Sequence, residues 1–192
     1  MTTPRQRRDA LANAERLLAA AVTAMLRDGL HVPMAAIAEE GGVGVGTLYR
    51  HYPDRDALLA ALTERSFTMV RALAEEAAGR DEVADAALRW FLDGTISHRS
   101  QLVLPLHGGP PALTAAAQQA RDEVHTALER LLDRGKREHT IRPDVTPFDI
   151  VVFGAMLAQP LPNTDRWDST ARRLAGFFVA GLRPHGAGAG PG

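Results

Sequence analysis

Residues 34–52 read MAAIAEEGGVGVGTLYRHY, and the spacing of apolar side chains and glycines in this stretch decides how the rest of the chain is understood. Met34, Ile37 and Ala38 recur at helical spacing with Glu39 and Glu40 on the other side, which predicts a short amphipathic helix. Pro33 suits its first turn, where a missing N–H has no intrahelical partner, and Gly41 and Gly42 stop it. Val43 is a lone apolar residue in the turn that follows. Val45 to Tyr52 form a second short helix, broken by Pro53. Placing Leu48 inward leaves Val45, Gly46, Thr47, Tyr49, Arg50 and His51 on an outward surface. Such a surface offers a methyl-contacting group, a backbone that can be approached closely, hydroxyls and two potential cations. Two short helices joined by a glycine turn, the second carrying such a surface, is what reading base edges in a major groove requires.

The flanks extend this unit on both sides. Arg8 to Arg27 carries Leu11, Ala14, Leu18, Ala21 or Val22, and Met25 on one stripe, so it reads as an amphipathic helix closed by Asp28 and Gly29. Arg5, Arg7 and Arg8 form a basic arm ahead of it, able to reach a neighbouring groove or backbone. Asp54 has the chemistry of an N-cap and Asp56 of an acidic first turn, opening a helix through Ala78. Its apolar arc, Leu58, Leu62, Met69 and Leu73 with Leu59, Phe67 and Val70 to the side, is wide enough to face two layers. The expected organisation is therefore a DNA-binding unit over residues 1–53, a connecting helix over 54–78, a second domain over 79–183, and a disordered tail over 184–192.

Downstream, Val83 to His98, Ala112 to Glu138, Pro147 to Ala158 and Asp165 to Leu182 read as further helices, and Leu102 to Leu106 as a short apolar patch ended by Gly108, Gly109, Pro110 and Pro111. Thirty-three alanines and 21 arginines against one lysine, with β-branched residues sparse, favour helix throughout. The fold class expected is all-α.

Composition removes several classes of function. The 192 residues are 45% hydrophobic and 23% charged, enough for a core without disulfide or metal staples. Cysteine is absent, which excludes disulfides, thiolate catalysis and cysteine zinc sites. No apolar run approaches the roughly 18 to 20 residues of a membrane span, and no export signal is visible, so a cytoplasmic protein with no membrane partner is expected. The GVGVG stretch follows a helix rather than a strand, unlike a dinucleotide or phosphate loop. The histidines offer only Asp122 to His125 where a di-iron bundle needs paired Glu-x-x-His motifs, and no HExxH or GxSxG occurs. No metal, cofactor or enzymatic activity is expected.

The stretch IAEEGGVGVGTLYRHYPDRDALLAAL, beginning at Ile37, resembles the helix-turn-helix signature of the tetracycline-repressor (TetR) family of bacterial regulators. The ordered combination of Ile37-Ala38, Gly42-Val43, Thr47-Leu48-Tyr49, His51-Tyr52 and Arg55 with Leu58 carries the match, which runs from about Ala10 to Leu62. The resemblance implies that Val45, Gly46, Thr47, Tyr49 and Arg50 lie at or near base edges. It also implies that Thr47, Tyr49, His51, Tyr52 and Arg55 are available to phosphates. Gly44 and Pro33 stand where the family commonly has polar caps, so two polar contacts are missing. Six arginines over residues 1–52 meet Asp9, Glu15, Asp28, Glu39 and Glu40, leaving a charge of +1 and an expected affinity that is moderate and salt-sensitive.

In the second domain, Trp90, Phe91, Phe153 and Met156 are expected to enclose an apolar pocket, with His98, His107 and His125 as polar contacts for an unidentified small-molecule effector. The last two helices carry more apolar surface than a peripheral helix needs. The family resemblance pairs such helices with their copies, which nominates Phe148, Val152, Ala155, Ala175, Phe178 and Leu182 for a homodimer interface. A dimer sets two reading helices about 34 Å apart on a pseudo-palindromic double-stranded operator. The function expected is a regulator, by default a repressor, released by its effector. The competing class is a helical small-molecule sensor or carrier with little DNA binding.

Overall fold

The computed structural model describes residues 4–29, 31–102, 113–160 and 165–184, with side chains from residue 12 onward. Among these are eight α-helices and no strand: α1 (Pro4–Asp28), α2 (Met34–Glu40), α3 (Val45–His51), α4 (Arg55–Gly79), α5 (Ala84–Ser97), α6 (Ala115–Arg137), α7 (Pro147–Leu157) and α8 (Trp167–Gly181), with a 3₁₀ turn at Arg99–Gln101. The all-α expectation holds. No described helix is long and apolar enough to cross a membrane. His107 and the tail from residue 185 onward lie outside the described residues.

Two compact units form: Met1–Ser66 with Ser100–Gln118, and Phe67–Arg99 with Gln119–Gly192. The division falls inside α4 and not at Gly79, and the wide apolar arc of that helix is the reason. Leu58, Leu59 and Leu62 join one core, while Phe67, Val70, Leu73, Ala74 and Ala77 are buried further along.

The first unit is built on Leu17, Leu18, Ala21, Val22 and Met25 of α1, Met34, Ile37 and Ala38 of α2, Leu48 of α3 and the start of α4. Gly29 (φ +89°) and Gly42 (φ +65°) end α1 and α2 in the left-handed region, which side chains rarely adopt. Arg27 at the end of α1 bonds both Asp28 and Glu40, each at 2.8 Å, and so ties α1 to the end of α2. These bonds raise the Arg27 guanidinium above its ordinary range, and Arg27 in turn lowers the Asp28 carboxyl. Helix α1 starts at Pro4, four residues earlier than the sequence pattern suggests, because proline at a helix start gives up no bond.

In the second unit, Leu88, Phe91, Leu92 and Ile96 of α5 are fully or almost fully buried, as are Leu128, Leu131 and Leu132 of α6 and Ala171 and Ala175 of α8. Helices α5 and α8 run antiparallel, closed at one end by buried Asp85 with Arg183 (2.7 Å) and at the other by Arg99 with Asp168 (2.5 Å). Trp167 donates its indole N–H to the Leu157 carbonyl (2.8 Å), fixing the start of α8 against the end of α7. A capping box of Thr146 and Asp149 opens α7.

Candidate nucleic-acid interface

Helix α3 is held by one anchor. Leu48 is 0% exposed and faces the core of α1, α2 and α4, so the remaining side chains of this seven-residue helix are placed by helical geometry alone. Truncating Leu48 to alanine would cost about 2–5 kcal/mol. Gly46, Tyr49 and Arg50 are exposed on the side away from Leu48, Val45 is exposed at the first turn, and Thr47 and His51 are half-buried. Tyr49, 47% exposed, projects outward and does not pack between helices. Helix α3 contains no acidic residue and ends in Arg50 and His51. Gly44 occupies its N-cap with no side-chain bond, in keeping with the missing polar cap.

Arg50 lies back along the helix. Its Nε donates to the Gly46 carbonyl (3.2 Å) and its Nη2 to the Thr47 hydroxyl (3.1 Å).

Several expected contacts are placed differently. Tyr52 is 9% exposed and belongs to the core; burial raises its phenol, whose nearest charges are Glu15 and Arg65 rather than anything on the outward arc. Its position after α3 turns it inward, so its use is structural. Arg55 is half-buried and donates to the Val32 carbonyl, clasping the α1–α2 connection to the start of α4. At that start, Asp54 accepts the Ala57 N–H (2.7 Å), which occupies a donor otherwise free for a phosphate. Arg5, Arg7 and Arg8 lie within the first turns of α1, not in an arm ahead of it.

The proposed pocket residues stand in different environments. Met156 is 60% exposed and faces solvent, Phe91 is core, and Trp90 is half-buried beneath the Arg80 guanidinium, 4.6 Å from its ring centre. His98 is tied through Nδ1 to the Gly94 carbonyl (2.8 Å), His125 is half-buried on α6, and Phe153 stacks on Phe178. None of them lines the cleft of about 560 Å³ in the first unit, which is bounded by Ala19, Val22, Thr23, Leu26, Arg27, Arg65, Ser100 and Gln101.

Of the nominated dimer residues, Phe148 is exposed and Val152 and Phe178 are half-exposed, but Ala155, Ala175 and Leu182 are buried within the protomer. Leu174 and Phe177, which sequence reasoning missed, are exposed instead. The signal was present: α8 carries two apolar stripes. Ala171, Ala175, Val179 and Leu182 make the inner one, and Leu174, Phe177 and Phe178 the outer.

Residues 17–62 match the model of the tetR family of bacterial regulatory proteins, and residues 67–184 match that of the C-terminal domain of SbtR-like transcriptional regulators. The chain belongs to the tetR family. This TetR-family protein is thus one of a family of DNA-binding transcriptional regulators and not of enzymes. It is 28% identical to the HTH-type transcriptional repressor LfrR of Mycolicibacterium smegmatis over 77% of this chain and 76% of that protein. Its fold is similar to the crystal structure of a TetR regulatory protein from Mycobacterium vanbaalenii, with 28% identity, a TM-score of 0.62, and coverage of 93% of this chain and 99% of that one. It also resembles AibR, solved with isovaleryl coenzyme A and operator DNA, at a TM-score of 0.67 and 18% identity, covering 90% of this chain and 98% of that one.

Proposed function

We propose that this TetR-family regulator binds a pseudo-palindromic operator as a homodimer, represses transcription in the cytoplasm, and is released by a small-molecule effector. The observation that carries the reading is the one-sided disposition of α3: Leu48 fully buried, and Val45, Gly46, Tyr49 and Arg50 turned outward with no carboxylate among them. A helix so mounted presents apolar, aromatic and cationic groups where a groove supplies methyl groups and acceptors. Repression as the direction is supported by the relative named a repressor.

The dimer is proposed through α7 and α8, with Phe148, Val152, Met156, Leu174, Phe177 and Phe178 as its surface. Phe148, Met156, Leu174 and Phe177 are exposed and Val152 and Phe178 half-exposed, and several large apolar side chains left open on two helices favour an interaction site. The effector site is proposed among the helices of the second unit, near the half-buried Trp90, His98 and His125. A protein of the same fold has been solved holding both an acyl coenzyme A and its operator. An effector acts only through unequal affinity for DNA-competent and incompetent states, so its coupling to DNA must be reciprocal.

The test is titration of wild-type, Thr47→Ala, Tyr49→Ala and Arg50→Ala proteins against the duplex upstream of the protein's own coding region. Loss of affinity or altered base preference in these variants supports the reading. Equal affinity and preference in all four removes it, and an affinity that does not fall with salt favours the carrier class.

A further inference from the structure

We propose that Arg50 is a guanine reader whose guanidinium is pre-set by Thr47, so that Thr47 acts as a positioning residue and not as a base contact; this rests on the operator-binding reading above. A guanidinium has two usable edges. One is formed by Nε–H and an Nη2–H, the other by the remaining Nη2–H and an Nη1–H. In this structure the first edge is spent inside the protein, on the Gly46 carbonyl (3.2 Å) and the Thr47 hydroxyl (3.1 Å). The second edge points away from both acceptors, and among the described residues Nη1 has no hydrogen-bond partner. Two parallel N–H groups at a fixed spacing match O6 and N7 of guanine, which lie side by side on its major-groove edge.

Two consequences follow from holding one edge. The long arginine side chain gives up rotamer freedom before DNA arrives, so less is lost on binding. The fork is also fixed in azimuth: counted from Val45 at 100° per residue, Arg50 lies on the same outward arc as Tyr49 and Gly46, opposite the buried Leu48. Gly46 contributes the carbonyl that receives Nε. Thr47 is suited to the task because its hydroxyl, three residues before Arg50, stands on the neighbouring turn within reach of the guanidinium. Such a fork discriminates the base by geometry, whereas an arginine bound to phosphate would not.

The experiment selects duplexes from a randomised pool with the wild-type dimer, then replaces each guanine of the enriched half-site in turn by 7-deazaguanine, which lacks the N7 acceptor. One guanine per half-site should cost the wild-type protein about fivefold or more in affinity, with Arg50→Ala indifferent to that replacement. Thr47→Val, which keeps the shape and removes the hydroxyl, should lose most of the discrimination, and Thr47→Ser should restore it. If Arg50→Ala keeps the penalty, or no guanine carries one, arginine does not read the base. If Thr47→Val keeps the full penalty, the pre-setting is wrong. If no duplex is enriched at all, the operator-binding reading itself falls, and the proposal with it.

Discussion

Phe153 of α7 lies flat on Phe178 of α8, with ring centres 3.8 Å apart and planes within 9°. The stacked pair joins the two helices, which also carry the exposed Phe148 and Met156 on α7 and Leu174 and Phe177 on α8, the surface proposed for the dimer. Phe177→Glu should therefore convert the proposed dimer to monomer in sedimentation equilibrium while leaving the far-UV helical signal intact, because Phe177 is 66% exposed in the protomer. Losing the tether between two reading helices should weaken operator binding by about 10²-fold or more. A dimer that persists in Phe177→Glu and in Phe148→Glu would place the interface elsewhere.

Gly46 has neither a positive φ nor a neighbour that a Cβ would strike. Nothing in the protein requires glycine there, and it lowers the helix propensity of α3. Gly46→Ala should raise unfolding stability by up to about 1 kcal/mol in urea titrations. The same variant should bind operator less tightly, since the added methyl stands on the face proposed to meet DNA. Stability and affinity moving in the same direction would contradict this account of the residue.

Gly135 on α6 sits against Ile141, with a would-be Cβ 2.5 Å from Ile141 Cδ1 and 3.0 Å from Ala84 Cβ. Both neighbours are buried, so Gly135→Ala should destabilise by about 1–3 kcal/mol. Adding Ile141→Val should recover part of the loss, because the two positions share one space. Urea midpoints of the two single variants and the double variant measure this directly.

The Thr146 hydroxyl and backbone N–H lower the Asp149 carboxyl below its ordinary value of 3.8. A carboxyl lowered in the folded state adds stability that is fully present above its unfolded value and is lost as pH falls through the folded one. The stability advantage of wild type over Asp149→Asn should accordingly be flat above about pH 5 and shrink on acidification below about pH 4. Thr146→Ala should cost about 1 kcal/mol at neutral pH. Both are read from urea midpoints across pH.

The helix-turn-helix was legible because its limits are chemical. Pro33, Gly41, Gly42 and Pro53 act locally, and Leu48 is the one long aliphatic side chain of α3, which turns it inward ahead of Val45 and Tyr49. Tyr52 was not legible, since an aromatic ring with a hydroxyl suits a core edge and a phosphate equally, and only the turn after α3 decides. The two stripes of α8 were merged for a related reason. Alternate apolar residues three and four apart satisfy one face as well as two, and which stripe turns inward depends on α5, far away in sequence. The split of α4 between two cores was signalled by its wide apolar arc, but not the residue at which it occurs. A pocket is harder still, because it is a property of packed helices, and Met156 reads the same whether it lines a cavity or the surface.

The most direct test of the account is the ratio of affinities for a selected operator and a scrambled duplex of equal length, measured by fluorescence anisotropy at one salt concentration for wild type and for the Tyr49→Ala, Arg50→Ala double variant. The exposed arc of α3 predicts that the double variant keeps weak binding to both duplexes and loses the preference, its ratio falling toward one. A ratio equal to that of the wild type would show that sequence is read by some other surface.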